Sequence, residues 1–254
     1  MRIRTFAGIV SVAALTAGCS GTGMNMDSLT SGAGKLFSAY TLSDAEIKTL
    51  SDQACAEADK EGNPAKAGSK YDARLQRIAK PLAQSLNGVQ PNFKVYQSKE
   101  VNAWAMANGC IRVYAGLMDK MTDAEIQGVV GHEMGHVELG HSRKSMQTAY
   151  TVSAARELAG ASGNAAVTAL SASQAGDLAE KFINAQYSQS QESDADSYAY
   201  DLLKSKKLNT GALVTAFNKL AAMDGGASSS MMSSHPASAD RAAKIQARID
   251  ADKK

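Results

Sequence analysis

Neither sign of charge dominates this chain of 254 residues, in which 27 Lys and Arg stand against 25 Asp and Glu. That balance lacks the clustered basic excess of a nucleic-acid footprint, so no nucleic-acid partner is expected. No internal repeat is evident. Aromatic residues make up only 6%, yet hydrophobic residues reach 44%, which excludes a disordered or collagen-like chain and leaves enough apolar surface for a buried core. Long apolar runs are missing too. The stretch from Thr5 to Ala17 is uncharged and mostly apolar or small, but at 13 residues it falls short of the roughly 20 a membrane-spanning helix needs.

What the short run does fit is export. Arg2 and Arg4 precede it and Gly18-Cys19 follow it, the layout of a secretory signal. The segment Leu15-Thr16-Ala17-Gly18-Cys19 resembles the lipobox of bacterial lipoproteins, with its Leu one place earlier than usual. That resemblance implies cleavage after residue 18 and acylation of Cys19, and Ser20 in the next position favours the outer membrane. The alternative is an ordinary signal peptide that happens to contain a Cys. Removing residues 1–18 takes away both arginines and leaves a neutral mature chain of 25 bases and 25 acids.

With Cys19 assigned to lipid, Cys55 and Cys110 remain of the three cysteines. An even pair in an oxidising compartment points to one disulfide, the other reading being two buried thiols. Residues 19–39, rich in Gly, Ser, Thr and Met, read as a tether, and residues 40–254 as the folded domain.

Within the domain, Ser43 and Glu46 form a capping box for a first helix, and Leu75, Ile78, Leu82 and Leu86 carry helical spacing over 71–86. Residues 93–96, 101–107 and 111–114 read as strands, the last two joined by Asn108-Gly109, and predict a small antiparallel sheet. A second capping box at Thr122 and Glu125 opens a helix expected to run past Gly140. The small-residue stretch 152–176 reads as closely packed helices or as a flap. Helices follow near 191–203 and 210–223, then a Gly/Ser/Met loop through Met232 and a last helix from about Ala237. The fold class is α+β and mainly helical.

The chemistry concentrates at His132-Glu133-Met134-Gly135-His136. Residues four apart on a helix differ by about 40° around its axis, so both imidazoles project from one face and can bind one metal ion. Glu133 stands where it can take a proton from water activated by that metal and pass it to a leaving amine. With four His and ten Glu in the chain, chance would produce the pattern about 0.002 times. A catalytic zinc needs a third protein ligand. The metzincin register would put a His at position 142, which is Ser142, so His141 is expected to end the helix, near its carbonyls or the helix dipole, with some contact to the active site as the minority reading. Glu192 and Asp196, four apart on a later helix, supply the alternative: Glu192 as ligand, and Asp196 as the group holding the outer nitrogen of a ligand His.

Together with Ser234-His235-Pro236 and Asp240-Arg241, these motifs resemble the gluzincin zinc peptidases of the HtpX, BepA and Oma type. The likeness also takes in Leu42 to Ala45, Ser51 to Cys55, Val101 to Ala103 and Met106 to Tyr114. It implies a zincin-type domain with one Zn2+ held by His132, His136 and Glu192. The implied activity is endopeptidase action on unfolded or misfolded envelope proteins, with a partner protease as a further implication. It also makes Asn102 and Ala103 candidates for backbone contacts with a substrate strand. His235 becomes an oxyanion stabiliser or a latch on the metal, and Arg241 a partner for His235 or Asp196. The rival reading is a chaperone-like or binding lipoprotein with a structural zinc, which four closed protein ligands would mark.

Overall fold

The computed structural model describes residues 42–158, 170–223, 230–235 and 239–253. The expected signal, the tether and Cys19 lie outside the described residues. Helix α1 (Asp44–Glu61) opens on the expected capping box: Ser43 N–H donates to Glu46 Oε2 at 2.8 Å, and the Ser43 hydroxyl accepts from Glu46 N–H. It buries Ile47, Leu50, Ala54, Cys55 and Ala58. Helix α2 (Lys70–Ala79) stops earlier than its periodicity suggests and tightens into a 3-10 turn over Lys80–Leu82. Pro81 is the cause, because it has no N–H to continue the ladder and its ring crowds the preceding turn. Leu82 and Leu86 are buried all the same.

The sheet comprises β1 (Asn92–Tyr96), β2 (Ala103–Ala105) and β3 (Cys110–Tyr114) in the order β1-β3-β2. The β2–β3 hairpin is antiparallel as expected and turns at Gly109, whose φ of +80° is open to glycine at little cost. The pairing of β1 with β3 is parallel, so the sheet is mixed rather than wholly antiparallel. Residues 97–102 between β1 and β2 leave room for β3 to enter the middle, and strand order across such a gap is a tertiary matter. β2 is also shorter than the expected 101–107 and forms an edge of the sheet.

Helices α3 (Ala115–Lys120) and α4 (Asp123–Glu138) follow. The expectation that α4 runs past Gly140 is corrected: the chain breaks at Leu139-Gly140, Gly140 adopts φ +74°, and α5 (His141–Leu158) starts afresh. Next come α6 (Ala172–Ile183), α7 (Gln189–Ser205), α8 (Gly211–Met223), α9 (Ser230–Ser234) and α10 (Ala239–Ala251). Helices α5 and α6 account for the ends of the small-residue stretch 152–176; its middle, 159–169, lies outside the described residues. α9 replaces the end of the loop expected through Met232. No helix among the described residues is long and apolar enough to cross a membrane.

Two apolar clusters hold the layers together. The larger joins α2, the sheet, α4, α7, α8 and α10, with Leu117, Val129, Val130, Leu203 and Phe217 inside it; the smaller packs α1 and α6 against Trp104, Met106 and Met146. Cys55 on α1 and Cys110 on β3 are disulfide-bonded, as the cysteine count suggests. Beside them the Arg112 side chain is fully buried on the central strand. Its Nε and Nη2 donate to the two carboxylate oxygens of Asp59 at 2.7 and 3.0 Å, and Nη1 donates to the Asn92 carbonyl. Lys94 and the Tyr96 hydroxyl complete the shell of Asp59.

Burial would raise the Asp59 pKa, but Arg112 and Lys94 outweigh it and hold the carboxyl below its usual value. A depressed carboxylate contributes stability above its unfolded pKa of about 3.9 and loses it as pH falls through the folded value. Asp59→Asn strands the Arg112 charge and is expected to lower the unfolding free energy by roughly 3 kcal/mol at pH 7. Urea unfolding of both proteins from pH 7 to 3 checks this: their difference should shrink as the wild type enters its acid limb, and a constant gap would contradict the assignment.

Candidate active site

Two helices bring the ligand candidates together. α4 begins on the Thr122–Glu125 capping box, and its C-terminal half carries His132, Glu133 and His136, all buried. α7 begins on a further capping box, Ser188 with Gln191, which places Glu192 in the first turn, where the positive end of the helix dipole favours a carboxylate. The two helices approach closely because small residues face each other. A Cβ built on Gly135 would sit 3.1 Å from both Cα and O of Ala195, and one on Gly131 would be 3.6 Å from the Ala199 Cβ. α10 contributes Arg241, and His235 follows directly on α9.

Four side chains converge. His132 Nε2 and His136 Nε2 are 3.0 Å apart, His132 Nε2 is 3.5 Å from Glu192 Oε2, and His136 Nε2 is 3.3 Å from Glu192 Oε1. His235 joins them, its Nδ1 lying 3.3 Å from His132 Nε2 and 2.9 Å from Glu192 Oε1. Tetrahedral ligands about 2.0–2.1 Å from a common ion stand about 3.3 Å from one another, so these separations match an ion-centred set. The expected metal residues His132, His136 and Glu192 therefore meet at one point, with His235 as a fourth.

The polar accounting also calls for a cation. Two buried Nε2 atoms face each other, and one proton satisfies only one pair of them. Arg241 Nη1 lies 2.5 Å from Glu192 Oε2 without the alignment of a hydrogen bond, and that oxygen has no hydrogen-bond donor. Burial alone would raise Glu192, yet the imidazoles of His235 and His132 hold it well below its usual pKa. Burial disfavours a charged His132, but Glu192 and Asp196 prevail and push its pKa up to about 9. Burial holds His136 well below its ordinary value, the neighbouring imidazoles adding to it. An ionised carboxylate beside crowded imidazoles is satisfied by a divalent ion, and the N, N, O donor set suits zinc.

Around the four lie Asp196 and Arg241. His132 Nδ1–H donates to Asp196 Oδ1 at 2.8 Å, which turns Nε2 inward. Arg241 donates through Nε and Nη2 to both Asp196 oxygens, at 2.7 and 2.6 Å, and its guanidinium lies 4.5 Å over the Phe217 ring. Glu133 points beside this set with a buried, unpartnered Oε1, 3.6 Å from His235 Nε2.

Comparison with known proteins adds the class. A model of peptidase family M48 matches residues 69–249, which contain every residue of this centre. The chain belongs to peptidase family M48. It is 52% identical to the metalloprotease LoiP of Escherichia coli (strain K12) over 99% of both chains, and 48% identical to the metalloprotease YcaL of the same strain over 96% of both. A more distant relative, the putative beta-barrel assembly-enhancing protease of Vibrio cholerae, is 26% identical over 58% of this chain and 32% of its own length. This M48 peptidase is a metalloprotease with an α+β, mainly helical zincin-like fold, and the buried centre is where its metal belongs.

Other expectations need adjustment in this M48 peptidase. Asn102 is buried, and its carbonyl accepts from Tyr114 N–H at 3.0 Å, so that carbonyl is taken by β3 rather than open to a substrate strand. By antiparallel alternation the Ala103 N–H and C=O face the outer edge of β2 instead. On that edge Val101 O accepts from Met231 N–H and Ala105 O accepts from the Ser142 hydroxyl at 2.7 Å. His141 is no mere helix end: its Nδ1 lies 3.1 Å from His136 Nδ1. Sequence reasoning also passed over Tyr187, whose ring stacks on His136 with centroids 3.8 Å apart. No local pattern marks it, because it reaches the site from the loop between α6 and α7.

The close α4–α7 contact yields a paired expectation. Gly135→Ala must push the α7 backbone and should destabilise by about 1–3 kcal/mol while weakening metal binding through Glu192. Gly131→Ala, one turn earlier, meets only ordinary contacts and should be neutral or gain up to about 1 kcal/mol from helix propensity. Chemical denaturation and zinc titration of the two variants check the contrast, and equal effects would contradict it.

Proposed function

We propose that this metalloprotease is a zinc-dependent endopeptidase of the bacterial envelope that clears misfolded or damaged proteins. The observation that carries the chemical part is Glu133 Oε1, buried without a hydrogen-bond partner beside the converging side chains of His132, His136 and Glu192. A general base needs a free lone pair within reach of the attacking water, and a purely structural zinc site has no use for one. Zinc supplies a lowered water pKa, toward about 7, and polarises the scissile carbonyl.

The rest falls to the protein. His132, His136 and Glu192 would hold the ion. Asp196 and Arg241 fix the His132 ring and balance the buried carboxylates. Glu133 takes the proton of the attacking water and delivers it to the amide nitrogen as that bond breaks, so no covalent acyl intermediate forms. His235 stands in the position that substrate needs, as a latch. Its Nε2 lies 3.6 Å from Glu133 Oε1, so an imidazole released from the ligand set would be near enough to the base to donate to the oxyanion of the tetrahedral intermediate. Ala103 on the outer edge of β2, between the bonds that Val101 makes to Met231 and Ala105 makes to Ser142, offers backbone groups to an extended substrate.

A second reading, a binding lipoprotein with a structural zinc, draws on the same fourth contact from His235, which closes the ligand set. It leaves Glu133 without a task. The envelope assignment is supported by the secretory layout, the lipobox likeness ending at Cys19, Ser20 after it, and the Cys55–Cys110 disulfide. It places a lipid-anchored enzyme on the outer membrane, facing the periplasm, working there alongside a partner protease.

Casein or a chemically unfolded protein serves as substrate for the test. Glu133→Gln should lose roughly 10²–10⁴-fold in kcat while keeping its zinc, and chelator should abolish wild-type turnover. Retained proteolysis in Glu133→Gln would refute the mechanism. His235→Ala should bind zinc more weakly and turn over more slowly, and unaltered values of both would refute the latch and the oxyanion role together.

A further inference from the structure

The two histidines on α4 are held differently on their outer sides. His132 Nδ1 has the Asp196 carboxylate, whereas His136 Nδ1 has the His141 imidazole, nitrogen to nitrogen at 3.1 Å. We propose that His141 is a positioning residue of the metal centre, accepting the Nδ1–H of His136 and so fixing the tautomer and ring angle that direct His136 Nε2 at the metal. This rests on the metal-centre reading above and extends it to a residue outside the motif.

The geometry leaves little freedom in the assignment. A ring that ligates through Nε2 carries its proton on Nδ1, so that N–H needs an acceptor. The nitrogen facing it is His141 Nδ1, whose lone pair then accepts that proton while its own proton sits on Nε2. Tyr187 lies against the face of the same ring at an interplanar angle of 23°, and its ring centroid is 6.5 Å from that of His141. One residue thus sets the ring's rotation in its plane and the other sets its tilt.

The backbone shows how His141 gets there. In an unbroken helix a residue five positions on is rotated by about 140° from the first and lies more than a turn further along, out of reach of its ring. Gly140, at φ +74°, ends α4 and redirects the chain, and His141 becomes the first residue of α5 with its ring folded back on His136. Gly140 has no Cβ contact within 4 Å to explain its presence by packing, so its use is this turn.

Zinc affinity of the full chain, measured by competition with a chromophoric chelator, tests the role without reference to proteolysis. His141→Met keeps the bulk and removes the acceptor, and should bind zinc roughly 10–100-fold more weakly. His141→Asn places an amide oxygen where Nδ1 stands and should recover most of the loss, with the metal-free melting temperatures of both variants matching wild type. Wild-type affinity in His141→Met, or no recovery in His141→Asn, would overturn the proposal. Should either variant fail to fold, nitrogen-15 NMR of the unaltered zinc-loaded protein decides: His136 must carry its proton on Nδ1, and the reverse tautomer would overturn it. An unaltered chain that binds no zinc at all would instead sink the metal centre and this proposal with it.

Discussion

The structure depends on one buried electrostatic demand. Glu192 is an ionised carboxylate with an oxygen that no donor serves, packed against two imidazoles whose Nε2 atoms face each other. The Arg241 guanidinium lies 2.5 Å from that oxygen but not in line with it, and a buried lone pair that no aligned donor meets carries a desolvation cost. A divalent ion resolves it by accepting the lone pairs of all three groups at once. The surrounding architecture can be understood as what keeps those lone pairs aimed at one point.

That aim is set by helix packing and by a ring of fixed partners. Glycines on α4 and alanines on α7 let the two backbones come within contact distance, so His132 and His136 from one helix and Glu192 from the other reach the same spot. Arg241 offsets the second acid, Asp196, through two aligned hydrogen bonds and rests on Phe217, which ties the charge network into the larger apolar cluster. The mixed sheet lies beside α4 and leaves β2 as an edge with outward backbone groups at Ala103. Rigidity further out comes from the disulfide between α1 and β3 and from the Arg112–Asp59 pair next to it. The site and the scaffold are thus built on the same principle, a buried charge held by a fully specified set of partners.

Much of this was legible in the sequence where the governing physics is local. Helical periodicity put His132 and His136 on one face, capping boxes located the starts of α1 and α4, and the need for a third ligand singled out Glu192 four residues before Asp196. Features that depend on distant segments were not legible. The parallel partner of β1 is decided by where β3 inserts, and nothing in residues 92–96 encodes it. Arg112 reads as one more surface charge until Asp59, 53 positions earlier, closes around it. The break at Gly140 carried a local signal, a glycine before a polar run, but strong periodicity up to Val137 overrode it and concealed the reach of His141. Tyr187 carried no signal, since its contact with His136 is made only by the fold.

The central claim is that His132, His136 and Glu192 share a single ion. Anomalous diffraction at the zinc edge from crystals of the mature domain tests it most directly. The account predicts one peak at bonding distance, about 2.0–2.2 Å, from an Nε2 of each histidine and an oxygen of Glu192. A peak elsewhere, or a Glu192 carboxylate turned away from the ion, would contradict it.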